Sequence, residues 1–85
     1  MEELLSFVLS GKIRVKVLQA LLKIEKTPTL LAKEINTHQS TTSRTLKDLE
    51  EKELVVCLTP NSKLSRLYSI TEKGKIIIIK INKII

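Results

Sequence analysis

The sequence has few of the residues that build catalytic centres and metal sites. Cys57 is the only cysteine and His38 is the only histidine among 85 residues. A single cysteine excludes an intramolecular disulfide and a zinc site made of several cysteines, as is typical of proteins in a reducing compartment. No glycine-rich phosphate loop and no pair of carboxylates in an apolar setting occurs. We therefore predict no enzyme activity, no cofactor and no metal site.

The two rare residues also have ordinary structural explanations. Cys57 lies in the apolar run 54–58, where a small buried side chain is favoured over a redox-active thiol. His38 has no cysteine or acidic neighbour in its motif, which favours a structural role over a metal or pH switch. These residues therefore identify no sensor.

Neither end of the chain has the pattern of a targeting or membrane segment. Glu2 and Glu3 lie where an export signal carries positive charge. The apolar C-terminus has about half of the roughly 20 residues needed to span a bilayer. We expect a cytoplasmic protein without a membrane partner.

The charge of the chain is strongly positive. Lys and Arg number 15 against 9 Asp and Glu, for a formal net charge of +6. This excess favours a polyanionic partner or an anionic membrane surface, although a lysine-rich protein with neither partner can have the same net charge. The chain length allows one small domain, residues 1–85, that buries roughly 60 to 65% of its unfolded surface.

Residues 27–53 have the signals of two short helices joined by a tight turn. Thr27 can cap the first helix while Pro28 takes its first position, where no amide hydrogen is needed. Asn36 follows where a left-handed residue ends a helix. A second helix then begins near His38 or Gln39 and continues to residue 52. This spacing predicts a helix-turn-helix.

The second of these helices, residues 39–52, is amphipathic. Leu46, Leu49 and Thr42 share one face at spacings of three and four residues. The opposite face is polar and free of acids, and its short hydroxyl side chains can approach phosphates. Gln39 can pair with adenine, and Arg44 can reach guanine or the backbone. This polar face consists of Gln39, Ser40, Ser43, Arg44 and Lys47.

The flanking segments predict further helices and a hairpin. Residues 1–9 form an N-terminal helix, and Ser10 caps the next one, whose core stripe extends to Ile24. Residues 54–70 form a β-hairpin with a basic tip. Thr71 caps a last helix, residues 71–85, although seven isoleucines in its final ten residues are equally compatible with a strand.

The apolar termini exceed what one small subunit can bury, which favours a partner subunit. We expect a homodimer, although the same termini could bind a different chain. The predicted interface consists of Leu4, Leu5, Val8, Ile78, Ile81 and Ile85.

Two motifs resemble a known family. The second and recognition helices of the archaeal and bacterial winged helix-turn-helix regulators of the MarR and ArsR type resemble one segment of this chain, LAKEINTHQSTTSRTLKDLEEKELV. The connection from their wing to a final helix resembles a second segment, YSITEKGK. The resemblance covers residues 11–75. It implies a mainly α fold with a small β-hairpin, in which a tri-helical core carries a wing and a C-terminal helix.

The resemblance also implies a function. It predicts a dimeric, sequence-specific transcriptional regulator that binds double-stranded DNA, with helix 39–52 in the major groove and the wing, 59–66, on the backbone or in the minor groove. The main alternative is a winged-helix module for protein interaction or a subunit of a larger assembly. The residues identify no small-molecule effector. The predicted DNA contacts are Gln39, Ser40, Thr41, Ser43, Arg44, Lys47, Lys63 and Arg66.

Overall fold

The computed structural model describes residues 2–62 and 66–84. This part of the chain is mainly helical and has one two-stranded antiparallel sheet, which confirms the predicted fold class. The elements in chain order are α1 (Glu2–Leu9), α2 (Lys12–Leu21), α3 (Pro28–Glu34), α4 (Gln39–Glu51), β1 (Val55–Cys57), β2 (Tyr68–Ile70) and α5 (Glu72–Ile84).

One apolar core joins the helices to the hairpin. α2 packs against α1, α4 and α5, while α3 packs on α4. Each element contributes the apolar stripe that its periodicity predicts, since burying aliphatic side chains is the dominant favourable term in folding. The largest fully buried side chains are Leu18, Leu21, Leu31, Leu46, Leu49, Leu54, Ile77, Ile78, Ile81, Val8, Val17 and Val55.

The start of the helix-turn-helix follows the predicted cap. The Thr27 hydroxyl accepts a hydrogen bond from the Leu30 amide at 3.2 Å, and Pro28 is the first residue of α3. The cap satisfies one of the amides that a helix N-terminus leaves unpaired.

The turn between α3 and α4 depends on a left-handed residue. Asn36 has φ of 56°, and its amide donates to the Lys33 carbonyl at 3.3 Å. The Thr37 amide donates to the Ala32 carbonyl at 2.9 Å, which completes a Schellman motif. The predicted role of Asn36 is confirmed.

α4 ends in the same way at a residue that the sequence did not single out. Glu53 has φ of 61°, the Glu53 amide donates to the Glu50 carbonyl at 2.9 Å, and the Leu54 amide donates to Leu49 at 2.9 Å. This second Schellman motif turns the chain directly into β1. A glutamate at this position is strained, because a side chain at positive φ crowds the following carbonyl.

The beginning of α2 differs from the prediction. Gly11 precedes α2 as its N-terminal cap residue, and the Ser10 hydroxyl instead donates to the Phe7 carbonyl at 2.9 Å. The Ser10 amide still bonds to Ser6, so Ser10 completes the last turn of α1 and is not free to cap α2. The core position predicted for Ile24 is also wrong, because Ile24 lies beyond the end of α2 and is 57% exposed.

The hairpin is tied to the helix-turn-helix through its second strand. Val55 pairs with Ile70, and Cys57 pairs with Tyr68. Tyr68 also exchanges two backbone hydrogen bonds with Lys26, at 2.9 and 3.0 Å, immediately before α3. The strand therefore has a backbone partner on both sides at Tyr68.

The isoleucine-rich C-terminus is a helix, which resolves the ambiguity in its sequence. The Thr71 hydroxyl accepts from the Gly74 amide at 3.0 Å and donates to the Glu53 carbonyl at 2.7 Å. Gly74 packs so closely on the residue before β1 that an added Cβ would overlap the Leu54 carbonyl oxygen. These contacts stabilise a helix start at this position over a strand, despite the β-branched residues that follow.

Candidate nucleic-acid interface

The two faces of α4 have separate environments. Leu46 and Leu49 are fully buried, and Thr42 and Thr45 lie beside them at 0 and 8% exposure. Their hydroxyls donate to the carbonyls one turn earlier, Thr42 to His38 at 3.1 Å and Thr45 to Thr41 at 2.9 Å. This internal pairing lets two polar side chains enter the core without an unsatisfied donor.

The opposite face of α4 is exposed. Because residues four apart in a helix lie above one another, Gln39, Ser43 and Lys47 form a row, and Ser40 and Arg44 form a second row beside it. All five side chains are classed as exposed. No acidic residue occurs between Gln39 and Lys47. We call these five residues the α4 polar face: Gln39, Ser40, Ser43, Arg44 and Lys47.

Thr41 lies at the edge of this face. It is half-buried, and at 3.6 residues per turn it is about 60° around the helix from Arg44 and about 160° from Ser43. Its carbonyl accepts the Thr45 hydroxyl. The predicted DNA contact of Thr41 stays a prediction, while the structure groups the other five α4 residues together.

The first acid of α4 lies one turn after Arg44 and pairs with α2. An Asp48 carboxylate oxygen lies 3.9 Å from an Arg14 guanidinium nitrogen on α2. Arg14 also donates to the Phe7 carbonyl at 2.6 Å and stacks 4.0 Å from the centroid of the Phe7 ring. The cation of Arg14 is thus held between α1 and α4 as a structural contact.

The wing contributes Arg66 at the entry to β2. Arg66 is exposed, while Tyr68 two residues later is only 6% exposed. A hydrogen bond with the Tyr68 hydroxyl is the main cause of a raised pKa at Arg66, and the charge of Glu50 adds to it. The guanidinium therefore stays charged under all working conditions. Lys63, the other predicted wing contact, lies outside the described residues.

A cleft separates the wing from α4. It is lined by Pro28 at the start of α3, by Ser43, Lys47 and Glu50 on α4, and by Arg66 and Tyr68 on the wing. The fold thus brings Arg66 to the same cleft as two members of the α4 polar face, although about twenty residues separate them in the chain. Sequence reasoning missed Tyr68 and Glu50, because their roles arise only from this tertiary contact.

The predicted interface residues at the termini require a correction. Val8, Ile78 and Ile81 have no exposed surface and lie in the core of this chain, because α1 and α5 pack on each other and on α2. Leu4 and Leu5 are half-buried, and Ile85 lies outside the described residues. The apolar side chains that α1 and α5 do expose are Leu9, Ile76, Ile79 and Ile84, at 43, 45, 48 and 66%.

The described residues contain neither a metal-binding cluster nor a membrane-spanning helix. Within residues 2–62 and 66–84, no group of three or more His, Cys, Asp or Glu residues is placed to hold a metal ion. No helix in this part of the chain is long and apolar enough to cross a membrane. Cys57 is buried at 8% exposure, as predicted, and His38 is exposed at the N-terminus of α4.

One family model matches the chain. Residues 2–85 match the model described as the HVO_A0261 N-terminal domain. Among curated proteins, none is significantly similar to this chain in sequence.

Solved structures share the fold. The homodimeric winged helix-turn-helix DNA-binding domain Mb0332 from Mycobacterium bovis, a possible ArsR-family regulator, superposes with a TM-score of 0.78 at 18% identity, covering 94% of this chain and 73% of that one. The transcriptional repressor BigR from Xylella fastidiosa gives a TM-score of 0.76 at 24% identity, covering 93% of this chain and 76% of that one.

A third structure contains DNA. Lactococcus lactis ZitR in complex with DNA gives a TM-score of 0.71 at 24% identity, covering 78% of this chain and 46% of that one. This chain therefore spans about half the length of ZitR. These likenesses confirm the resemblance in fold to winged-helix regulators of the MarR and ArsR type. The archaeal type stays a prediction.

Proposed function

We propose that this chain, which belongs to the HVO_A0261 N-terminal domain family, is a homodimeric transcriptional regulator that binds double-stranded DNA sequence-specifically. α4 enters the major groove, and the wing contacts the backbone or the minor groove. DNA as the partner also implies action in the cytoplasm and a binding role instead of catalysis. Residues 1–85 act as one DNA-binding domain in this proposal.

The observation that carries the proposal is the placement of the α4 polar face beside Arg66. A core-anchored helix presents five exposed polar or cationic side chains without an acid among them. Side chains of this kind suit both parts of DNA recognition: serines contact phosphates, while Gln39 and Arg44 can read base edges. A module that binds only proteins has no need of an acid-free cationic face.

The dimer is proposed from a second observation. α1 and α5 pack together and expose Leu9, Ile76 and Ile79, each more than 40% accessible. A second copy of the same surface can cover these side chains by two-fold symmetry, with Leu4 and Leu5 at the edge of the contact. The homodimer reported for Mb0332 supports a dimer but does not identify its surface.

Selection of bound duplexes from random DNA tests both parts together. We expect an enriched palindrome whose half-sites lie about 10 base pairs apart or a multiple of that, because a two-fold dimer places two recognition helices one turn apart. An enriched motif without symmetry would contradict the dimer and leave the DNA-binding part standing. No enrichment would overturn sequence-specific binding and favour the protein-interaction alternative.

A further inference from the structure

We propose that the cleft between α4 and the wing binds one phosphodiester of the DNA backbone, which Lys47 and Arg66 contact together, and that Tyr68 is a positioning residue for Arg66. This inference rests on the proposed function. It adds a specific subsite: one phosphate joins the recognition helix to the wing.

The geometry of α4 supplies one wall of this cleft. Ser43, Lys47 and Glu50 follow one another at spacings of four and three residues, so their side chains share one edge of the helix. All three line the cleft. Ser43 offers a hydroxyl and Lys47 an ammonium group, and both are exposed. Both groups can donate hydrogen bonds to a phosphate oxygen.

The wing forms the opposite side of the cleft, where Tyr68 is fixed by its neighbours. Tyr68 is 6% exposed, pairs with Cys57 in the sheet, and bonds through both backbone groups to Lys26. Tyr68 lines the cleft beside Arg66 and is the main cause of the raised pKa of that guanidinium, whose several donors can bind a ligand. A guanidinium held near the Tyr68 hydroxyl loses less conformational freedom on binding an anion than a free arginine does.

The carboxylate of Glu50 partly offsets the positive charge of the cleft. It is half-buried among the lining residues, and its charge acts on Arg66. Without DNA, the guanidinium shares the cleft with Glu50 and Tyr68. With a phosphate bound, the carboxylate repels it, so removing the charge of Glu50 should tighten binding. This prediction is opposite in sign to the loss expected from removing a contact.

Neutral linkages in the DNA provide the decisive experiment. A duplex from the selection is prepared with single methylphosphonate linkages, one position at a time, and its affinity is measured for the full chain. At one linkage in each half-site the unmodified protein should lose about tenfold in affinity, because a charge-assisted contact to that oxygen is removed. Lys47→Ala and Arg66→Ala should each become less sensitive at that same linkage, since each keeps only one of the two cations, whereas Lys73→Ala on α5 should remain fully sensitive there.

Glu50→Gln and Tyr68→Phe then test the two supporting residues. We expect Glu50→Gln to tighten binding about fivefold at low salt, and this gain should vanish on the duplex with the neutral linkage. Glu51→Gln removes the same charge from the next residue, outside the cleft lining, and any change it causes should persist on that duplex. Tyr68→Phe keeps the buried ring and should weaken binding about threefold only where the linkage is charged.

The outcomes separate this inference from the proposed function. If the unmodified protein binds no duplex, the proposed function fails and the inference fails with it. If it binds, but Lys47→Ala and Arg66→Ala lose sensitivity at different linkages, the shared phosphate is overturned and the function stands. If Tyr68→Phe binds like the unmodified protein at every linkage, the positioning role of Tyr68 is overturned.

Discussion

α4 and α5 are both 13 residues long and both bury an apolar stripe in the same core, yet they leave opposite kinds of surface outside. α4 exposes serines, glutamine and two cations over residues 39–47, and the exposed acids Asp48 and Glu51 come only in its last turns. α5 exposes Ile76, Ile79 and Ile84 as well as lysines. The inward faces of the two helices stabilise the same subunit, so the difference between them lies in the partner each outer face suits. A polar cationic surface suits DNA, and an apolar one suits another protein surface.

The largest effect should come from charging the inward face of α5. Ile78→Lys places an ammonium group at a position with no exposed surface, and we expect a loss of about 4 kcal/mol or more in the free energy of unfolding. Urea denaturation of the variant and of Ile79→Lys, whose site is 48% exposed, measures the contrast. Equal losses in the two variants would mean that α5 is not packed as described.

Charging the outward face of α5 should instead separate subunits. Ile76→Lys together with Ile79→Lys should raise the dimer dissociation constant about 100-fold, because the interface would bury like charges from both subunits in an apolar patch. Sedimentation at micromolar concentration reports the change. Leu30→Lys, at another exposed apolar site on α3, should leave the mass unchanged. A chain that is already monomeric would remove the basis of the proposal.

The outer face of α4 should be sensitive to base sequence. Arg44→Ala should weaken binding to the selected duplex by about 10 to 100-fold and binding to random duplex much less, if Arg44 contacts a base. Lys63→Ala should weaken both to a similar extent and reduce the salt dependence of binding, as a phosphate contact does. Titrations of both duplexes at several salt concentrations measure these differences. Equal losses for Arg44→Ala on the two duplexes would reduce Arg44 to a backbone contact.

The smallest effect should come from the residue that ends α4. Glu53→Gly removes the strain of a side chain at φ of 61° but gives the unfolded chain more freedom, so we expect a net stabilisation of about 0.5 kcal/mol. Asn36→Gly at φ of 56° should gain less, since asparagine tolerates this conformation better than glutamate. Thermal unfolding of both variants tests the order. A destabilised Glu53→Gly would contradict the assigned strain.

Much of the fold could be predicted from local chemistry. The Thr27 cap, the Pro28 start and the Asn36 turn each depend on residues within one helical turn, and all three were found as expected. The buried stripe of α4 follows from its 3.6-residue period. Glu53 escaped notice because glutamate seldom occupies the left-handed region, and no local pattern marks it. Ser10 was misassigned because it lies one residue before the cap position of α2 and closes the last turn of α1.

The candidate site could be predicted only in part. The composition of the α4 polar face is readable because one helix carries all of it. The cleft is not, since Glu50 and Tyr68 become neighbours only when the hairpin folds back beside α4. The same limit explains the interface error: an isoleucine-rich helix has excess apolar surface, but its sequence does not say which isoleucines other helices will cover.

The sequence by itself determined where α3 begins and ends, which stripe of α4 is apolar, and that the exposed side of α4 carries no acid before Asp48. These properties depend on neighbours along the chain, and their energies are local. Only the tertiary structure decided that Val8, Ile78 and Ile81 belong to the core and that Arg66 shares a cleft with Lys47. Those results depend on which distant surfaces exclude water from one another, and that is decided when the whole core packs.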